Sequence, residues 1–193
     1  MRRFSAAVAE NGGWIPVQGA IRALRALVCA ALLGALVPQV GGAQSANAEE
    51  AMRGPVTNLP LPRYVSLKAG EGNARRGPGM THQVDWVFRR RDMPLMVTAE
   101  YEHWRRVQDA DGAGGWMHFA LLSGSRTVLV QRDMTELRLQ ADERAPLVAH
   151  LEAGVVARVL ECAREWCRLR ADRQRGWAPK SALWGVDEDE IID

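Results

Sequence analysis

"GWMHFALLSG" (Gly115–Gly124) and "GWAPKSALWG" (Gly176–Gly185) each carry a Gly-Trp step, a short turn and a Leu, 61 residues apart. The correspondence extends outward. "WRRV" (Trp104–Val107) matches "WCRL" (Trp166–Leu169) at an offset of 62, and "AEYEHW" (Ala99–Trp104) parallels "ECAREW" (Glu161–Trp166). Between the two tryptophans of a copy lie short turn-forming stretches, "QDADGAG" in the first and "RADRQR" in the second. An offset that drifts by one is what a difference in loop length produces between tandem copies of one structural unit.

Each unit is built from short strands. Apolar residues alternate at Val65-Leu67-Ala69, Leu95-Val97-Ala99, Val128-Val130 and Val155-Ala157-Val159, with Gly, Asp and Pro clusters between the runs. Period-2 patterning broken by turn residues at this spacing predicts an all-β fold of two small tandem barrels. The boundaries expected are 63–124 for barrel 1 and 125–186 for barrel 2. They are preceded by a Pro-rich arm at 49–62, "EEAMRGPVTNLPLP", and followed by an acidic tail at 187–193, which reads as a solvated end.

The order "NARRGPG" (Asn73–Gly79), "VDWV", "EYEHWRRV" and "DGAGGWMHFALL" resembles the bacterial SH3-like domain, a small barrel common in exported and cell-wall proteins. The resemblance covers about two thirds of the chain and extends to exported proteins with two such domains. Two residues depart from the family pattern in the first copy. Ala74 follows Asn73 where a branched residue is usual, and Asp92 stands where a Gly commonly opens the next strand. The second copy has "TELRLQADERAP" in place of the Gly-Pro turn, so it is read as degenerate and less suited to the family's ligand.

Upstream, Leu24–Val37 reads "LRALVCAALLGALV", with Arg22 before it, Arg25 at its start and "GGAQSANAEE" after it. A positive flank, a short apolar run and a small-residue exit describe a secretory signal peptide over 1–48, cleaved after Ala48 or Ala43. The run is shorter than the roughly 20 residues a spanning helix needs. No membrane span is therefore expected after cleavage, and the expected location is periplasmic or secreted. The formal charge of the chain is +2, but residues 1–48 hold Arg2, Arg3, Arg22 and Arg25 against Glu10. The remainder is thus −1, which removes the electrostatic basis for a nucleic-acid partner.

Cys162 and Cys167 are the cysteines beyond the leader. In an oxidising compartment, "CAREWC" suits a disulfide between two strand ends facing across a tight hairpin. Two thiols with no adjacent His or third Cys make a poor zinc site. The four histidines (His82, His103, His118 and His150) show no paired metal spacing, so neither metal nor cofactor is expected.

Gly115, Gly176, Trp116 and Trp177 are read as structural: the glycines for close backbone approach, the indoles for bulk in a marginal core. Candidate ligand contacts are Arg76, His82, Tyr101, Trp104 and His118. Tyr101 and Trp104 bracket the loop that fronts the ligand groove in SH3-like barrels. Arg76, beside Gly77-Pro78-Gly79, is an Arg fork suited to a carboxylate or a peptide carbonyl, or else an ion-pair partner of Glu71 or Asp85. The function expected is a non-catalytic envelope binding module for peptidoglycan or a peptide of another exported protein. A self-associating structural protein is the alternative. Related domains accompany cell-wall cysteine peptidases, but Cys162 and Cys167 lie inside a barrel repeat with no activating His in sequence context.

Overall fold

The computed structural model describes residues 52–193. The leader assigned to 1–48 and the first residues of the arm lie outside them. Alternating short runs form two seven-stranded antiparallel sheets, and the chain is all-β as expected. The first contains β1 (Arg63–Leu67), β2 (Gly72–Arg75), β3 (Val84–Phe88), β4 (Pro94–Tyr101), β5 (Trp104–Gln108), β6 (Gly114–His118) and β7 (Leu122–Ser123), in the order β3-β2-β6-β5-β4-β1-β7. The second contains β8 (Thr127–Val130), β9 (Thr135–Arg138), β10 (Leu147–Leu151), β11 (Val156–Cys162), β12 (Trp166–Ala171), β13 (Gln174–Pro179) and β14 (Leu183–Trp184). Its order, β10-β9-β13-β12-β11-β8-β14, repeats the first strand for strand. A single 3₁₀ turn joins the last two strands of each copy, Phe119–Leu121 in one and Lys180–Ala182 in the other.

The alternation buries one face of each strand. Leu67, Leu95, Val97, Val107 and Met117 fill the first core, and Val128, Val130, Leu137, Leu169 and Ala178 the second. Each buried Leu, Val or Met contributes about 1.5–3 kcal/mol. Trp116 and Trp177 belong to neither cluster, which corrects the expectation that they fill the cores. In β6 the inward positions are Gly115 and Met117, paired with Val107 and Arg105, so Trp116 points outward beside Arg106. The glycines sit where strands crowd: a Cβ on Gly115 would lie 2.6 Å from the carbonyl oxygen of Arg75, and one on Gly176 2.6 Å from that of Arg138. Asp92 has φ 62°, the left-handed region that explains a glycine preference there and that Asp tolerates.

The two barrels touch through Tyr64 and Trp184, whose rings meet edge-on at 5.3 Å, with the Arg126 guanidinium 5.6 Å from the Tyr64 ring centre. Arg90 donates to the Gly154 carbonyl at 2.6 Å across the same junction.

Neither terminal segment is free, contrary to the reading of an extended arm and a solvated tail. The arm folds back on itself, with Arg53 bridged to Pro60, and inserts Leu61 into the first core. Its turn delivers the Val56 N–H (3.1 Å), the Thr57 N–H (2.9 Å) and the Thr57 hydroxyl (2.7 Å) to the buried carboxylate of Glu100. Arg63 (2.6 Å) and Arg105 (3.4 Å) pair with the same carboxylate. Burial raises the Glu100 pKa, but these hydrogen bonds outweigh it and hold the carboxyl at about 2.

The tail caps the second barrel in the same way. Ile192 and Cys162 exchange two backbone hydrogen bonds, and Glu190 forms a bidentate ion pair with Arg126. The buried Lys180 ammonium donates to the carbonyls of Glu188 (2.9 Å) and Glu190 (2.6 Å). At the end of each barrel one cross-strand pair is covered: Glu100 opposite Arg105 in the first, and the Cys162–Cys167 disulfide at the equivalent register in the second. An ion pair in one copy thus stands where the other has a covalent bond.

Candidate functional site

The outward face of the three-stranded centre carries two successive rows of side chains in the first barrel. One row runs Tyr101–Trp104–His118 across β4, β5 and β6. Two residues along, the next runs Arg106–Trp116–Arg75 across β5, β6 and β2. In the second barrel the same positions are Ala163, Trp166 and Pro179 in the first row, and Arg168, Trp177 and Arg138 in the second.

The five expected contact residues do not form one groove. Trp104 is 8% exposed, packed edge-on against His118 at 5.7 Å, so it supports the surface more than it lines it. The His118 ring accepts the Ala120 N–H through Nδ1, starting the 3₁₀ turn, and stacks at 4.9 Å on Phe119. His103 completes an aromatic cluster, 5.8 Å from Phe119. Tyr101 stands exposed at the hairpin tip. His82 packs over the Gly77–Gly79 turn so closely that a Cβ on Gly77 would lie 2.6 Å from its ring, and its carbonyl accepts from Arg75 at 2.7 Å. Arg76 is apart from these. It pairs with Asp85 at 3.1 Å, one of the two partners expected, while Glu71 pairs with Arg89 instead.

Two clefts open on the tryptophan-bearing faces. In barrel 1 a polar cleft of about 390 Å³ is lined by Arg75, Arg76, Asp85, Arg106 and Trp116, with the backbone of Gly112, Gly114 and Gly115 beside them. In barrel 2 a larger cleft of about 590 Å³ lies beside Trp166 and Pro179, lined by acids (Glu143, Glu165, Glu188, Asp189) and by Arg164 and Lys180. It adjoins a second hollow of about 410 Å³ that shares Glu143, Trp166 and Pro179 with it. The copy read as degenerate therefore carries the larger concavity. Its wall includes the docked tail, which no local motif announces. Arg106, at the repeat position of Arg168, also lines the first cleft.

Among the described residues no group of three or more His, Cys, Asp or Glu is placed to hold a metal ion. No helix among them is long and apolar enough to cross a membrane.

A family model for the bacterial SH3 domain matches residues 68–124 and 131–185, more than half of the chain. The chain belongs to the bacterial SH3 domain family. The two matches fall one on each sheet, so the molecule is a tandem of these domains. Bacterial SH3 domains are typically cell-wall binding modules and are commonly extracellular or periplasmic. Among solved structures, NlpC2 from Trichomonas vaginalis is similar at 12% identity and a TM-score of 0.30, over 65% of this chain and 50% of that one. NlpC1 from the same organism is similar at 10% identity and a TM-score of 0.30, over 68% of this chain and 48% of that one. This chain thus spans about half the length of either, and neither likeness bears on activity. No curated protein matches the sequence.

Proposed function

We propose that this tandem bacterial SH3 protein is a non-catalytic, exported binding module of the cell envelope that recognises peptidoglycan or a peptide segment of an envelope protein. The observation that carries this reading is that each barrel has a cleft bordered by a tryptophan of its outward face, Trp116 in the first and Trp166 in the second, although the two clefts lie at different positions of the repeat. Concave sites that combine an aromatic wall with a few polar side chains suit a peptide or sugar–peptide ligand. The thiols of Cys162 and Cys167 are joined in a disulfide, so neither is available as the nucleophile of a cysteine peptidase. The docked tail and arm support a compact receptor more than a pair of loosely tethered modules.

The test is co-sedimentation of the purified protein with protein-free peptidoglycan sacculi, comparing wild type with Trp116→Ala and Trp166→Ala. Both tryptophans lie outside the core clusters, and near-UV circular dichroism checks that each variant keeps its fold. Binding by wild type that either substitution weakens supports the wall reading. No sedimentation above control removes it and leaves envelope peptides as the ligand class.

One observation favours self-association as a second reading. Strand β3 is a sheet edge that exposes Val84 and Trp86, at 41% and 47%, and such edges invite pairing between chains. A concentration-dependent dimer in sedimentation velocity, lost in Trp86→Lys, would establish it.

A further inference from the structure

The geometry points to the Arg75–Arg76–Arg106 cleft of the first barrel as a receptor for a carboxylate group carried on a peptide. This deepens the binding-module reading and rests on it.

Both barrels hold an Arg–Trp–Arg row on the outward face, Arg75–Trp116–Arg106 in the first and Arg138–Trp177–Arg168 in the second. In the second barrel each arginine has its own carboxylate. Arg138 pairs with Glu136, two residues earlier on β9, and Arg168 pairs at 3.5 Å with Glu161, its cross-strand neighbour on β11. The positions that correspond to these acids in the first barrel are Asn73, two residues before Arg75 on β2, and Ala99, the cross-strand neighbour of Arg106 on β4. The first barrel keeps the cations and lacks both counter-charges.

The consequence is visible in the hydrogen bonding. Arg75 spends one terminal nitrogen on the His82 carbonyl. Arg76 spends Nε on Asp85, leaving its terminal nitrogens without a partner among the described residues. The Arg106 guanidinium has no hydrogen-bond or ion-pair partner among them; the Thr98 hydroxyl reaches only its backbone carbonyl. Three guanidinium groups thus share one acid, around a hollow that Trp116 and three glycines also line. Planar guanidinium forks match a planar carboxylate bidentately. Asp85 within the cleft penalises a dianion more than a monoanion, which favours a carboxylate over a phosphate.

The probe is acetyl-Ala-Glu-Ala with free carboxylates, titrated into the purified protein while the Trp116 indole N–H resonance, assigned through Trp116→Phe, is followed by NMR. Its fully amidated form and inorganic phosphate are parallel arms. The decisive variant is Ala99→Glu, which rebuilds in the first barrel the acid that neutralises Arg168 in the second while leaving Arg106 in place. Saturable shifts with the free tripeptide are expected, weakened about tenfold by Ala99→Glu and by Arg106→Gln. Arg168→Gln, on the neutralised row, should change nothing. Equal response to the amidated peptide, equal loss in Arg168→Gln, or undiminished binding in Ala99→Glu would each overturn the inference. So would tighter binding of phosphate than of the tripeptide, which would reassign the cleft to phosphate.

The two readings fail separately. Tripeptide binding without sacculus binding removes the wall reading alone. Sacculus binding that Arg106→Gln and Ala99→Glu leave intact, with no tripeptide response, removes the carboxylate cleft alone.

Discussion

Glu100→Gln removes one charge from the end of the first barrel and keeps the shape of the side chain. The native carboxylate is wholly buried and accepts from two backbone N–H groups, one hydroxyl and the guanidinium of Arg63, with Arg105 alongside. Burial alone would raise its pKa; the donors reverse that and bring it from 4.5 to about 2. The difference corresponds to about 3 kcal/mol in favour of the charged, folded form. Gln retains one acceptor oxygen but leaves Arg63 and Arg105 facing a neutral amide, and its NH₂ group meets donors. A loss of about 3 kcal/mol at pH 7 is therefore expected, a large share of a total of about 5–15 kcal/mol.

The pH dependence has a definite sign. A depressed carboxyl contributes stability that is present above its unfolded value, near 4.5, and lost as the pH falls from there toward 2. Urea unfolding followed by tryptophan fluorescence, at pH 7 and at steps down to pH 3, measures both effects. The variant should be weaker at pH 7 and flatter than wild type below pH 4.5. Trypsin cleavage after Arg53 should also accelerate, because the arm loses its anchor. A variant within about 0.5 kcal/mol of wild type at pH 7, or one with the wild-type acid slope, would refute the reasoning that Glu100 latches the arm.

Gly176→Ala places a methyl 2.6 Å from the Arg138 carbonyl oxygen. It should cost about 1–3 kcal/mol in thermal unfolding, whereas Gly124→Ala, with nothing within 4 Å, should leave the midpoint unchanged. Replacing Cys162 and Cys167 together with Ala should cost about 2 kcal/mol, the small value expected for so short a closed loop. The same loss should appear in wild type on adding reductant, and a reductant-insensitive midpoint would contradict it.

Several features were legible because they are local. The repeated Gly-Trp steps located two copies of one unit, and the alternation from Leu95 to Ala99 located a strand. The spacing of Cys162 and Cys167 suited a hairpin bridge, which pairs them at a Cα distance of 4.1 Å. Which way Trp116 faces was less accessible, because the phase of β6 depends on its pairing with β5. That pairing makes Met117 the core residue. A register shift between Val97 and Ala99 likewise turns Glu100 inward, where simple alternation from Leu95 and Val97 would send it out.

The sequence by itself determined the fold class, the two-copy organisation and the candidate disulfide, since strand period, turn chemistry and motif spacing act over a few residues. Only the tertiary structure decided that the arm and the tail cap equivalent barrel ends, that the larger cleft lies in the second copy, and that Arg106 lacks the acid its counterpart has. Thr57 reaches Glu100 across 43 residues and Arg126 reaches Glu190 across 64. Contacts at that separation depend on how the strands are stacked, and no local pattern encodes them.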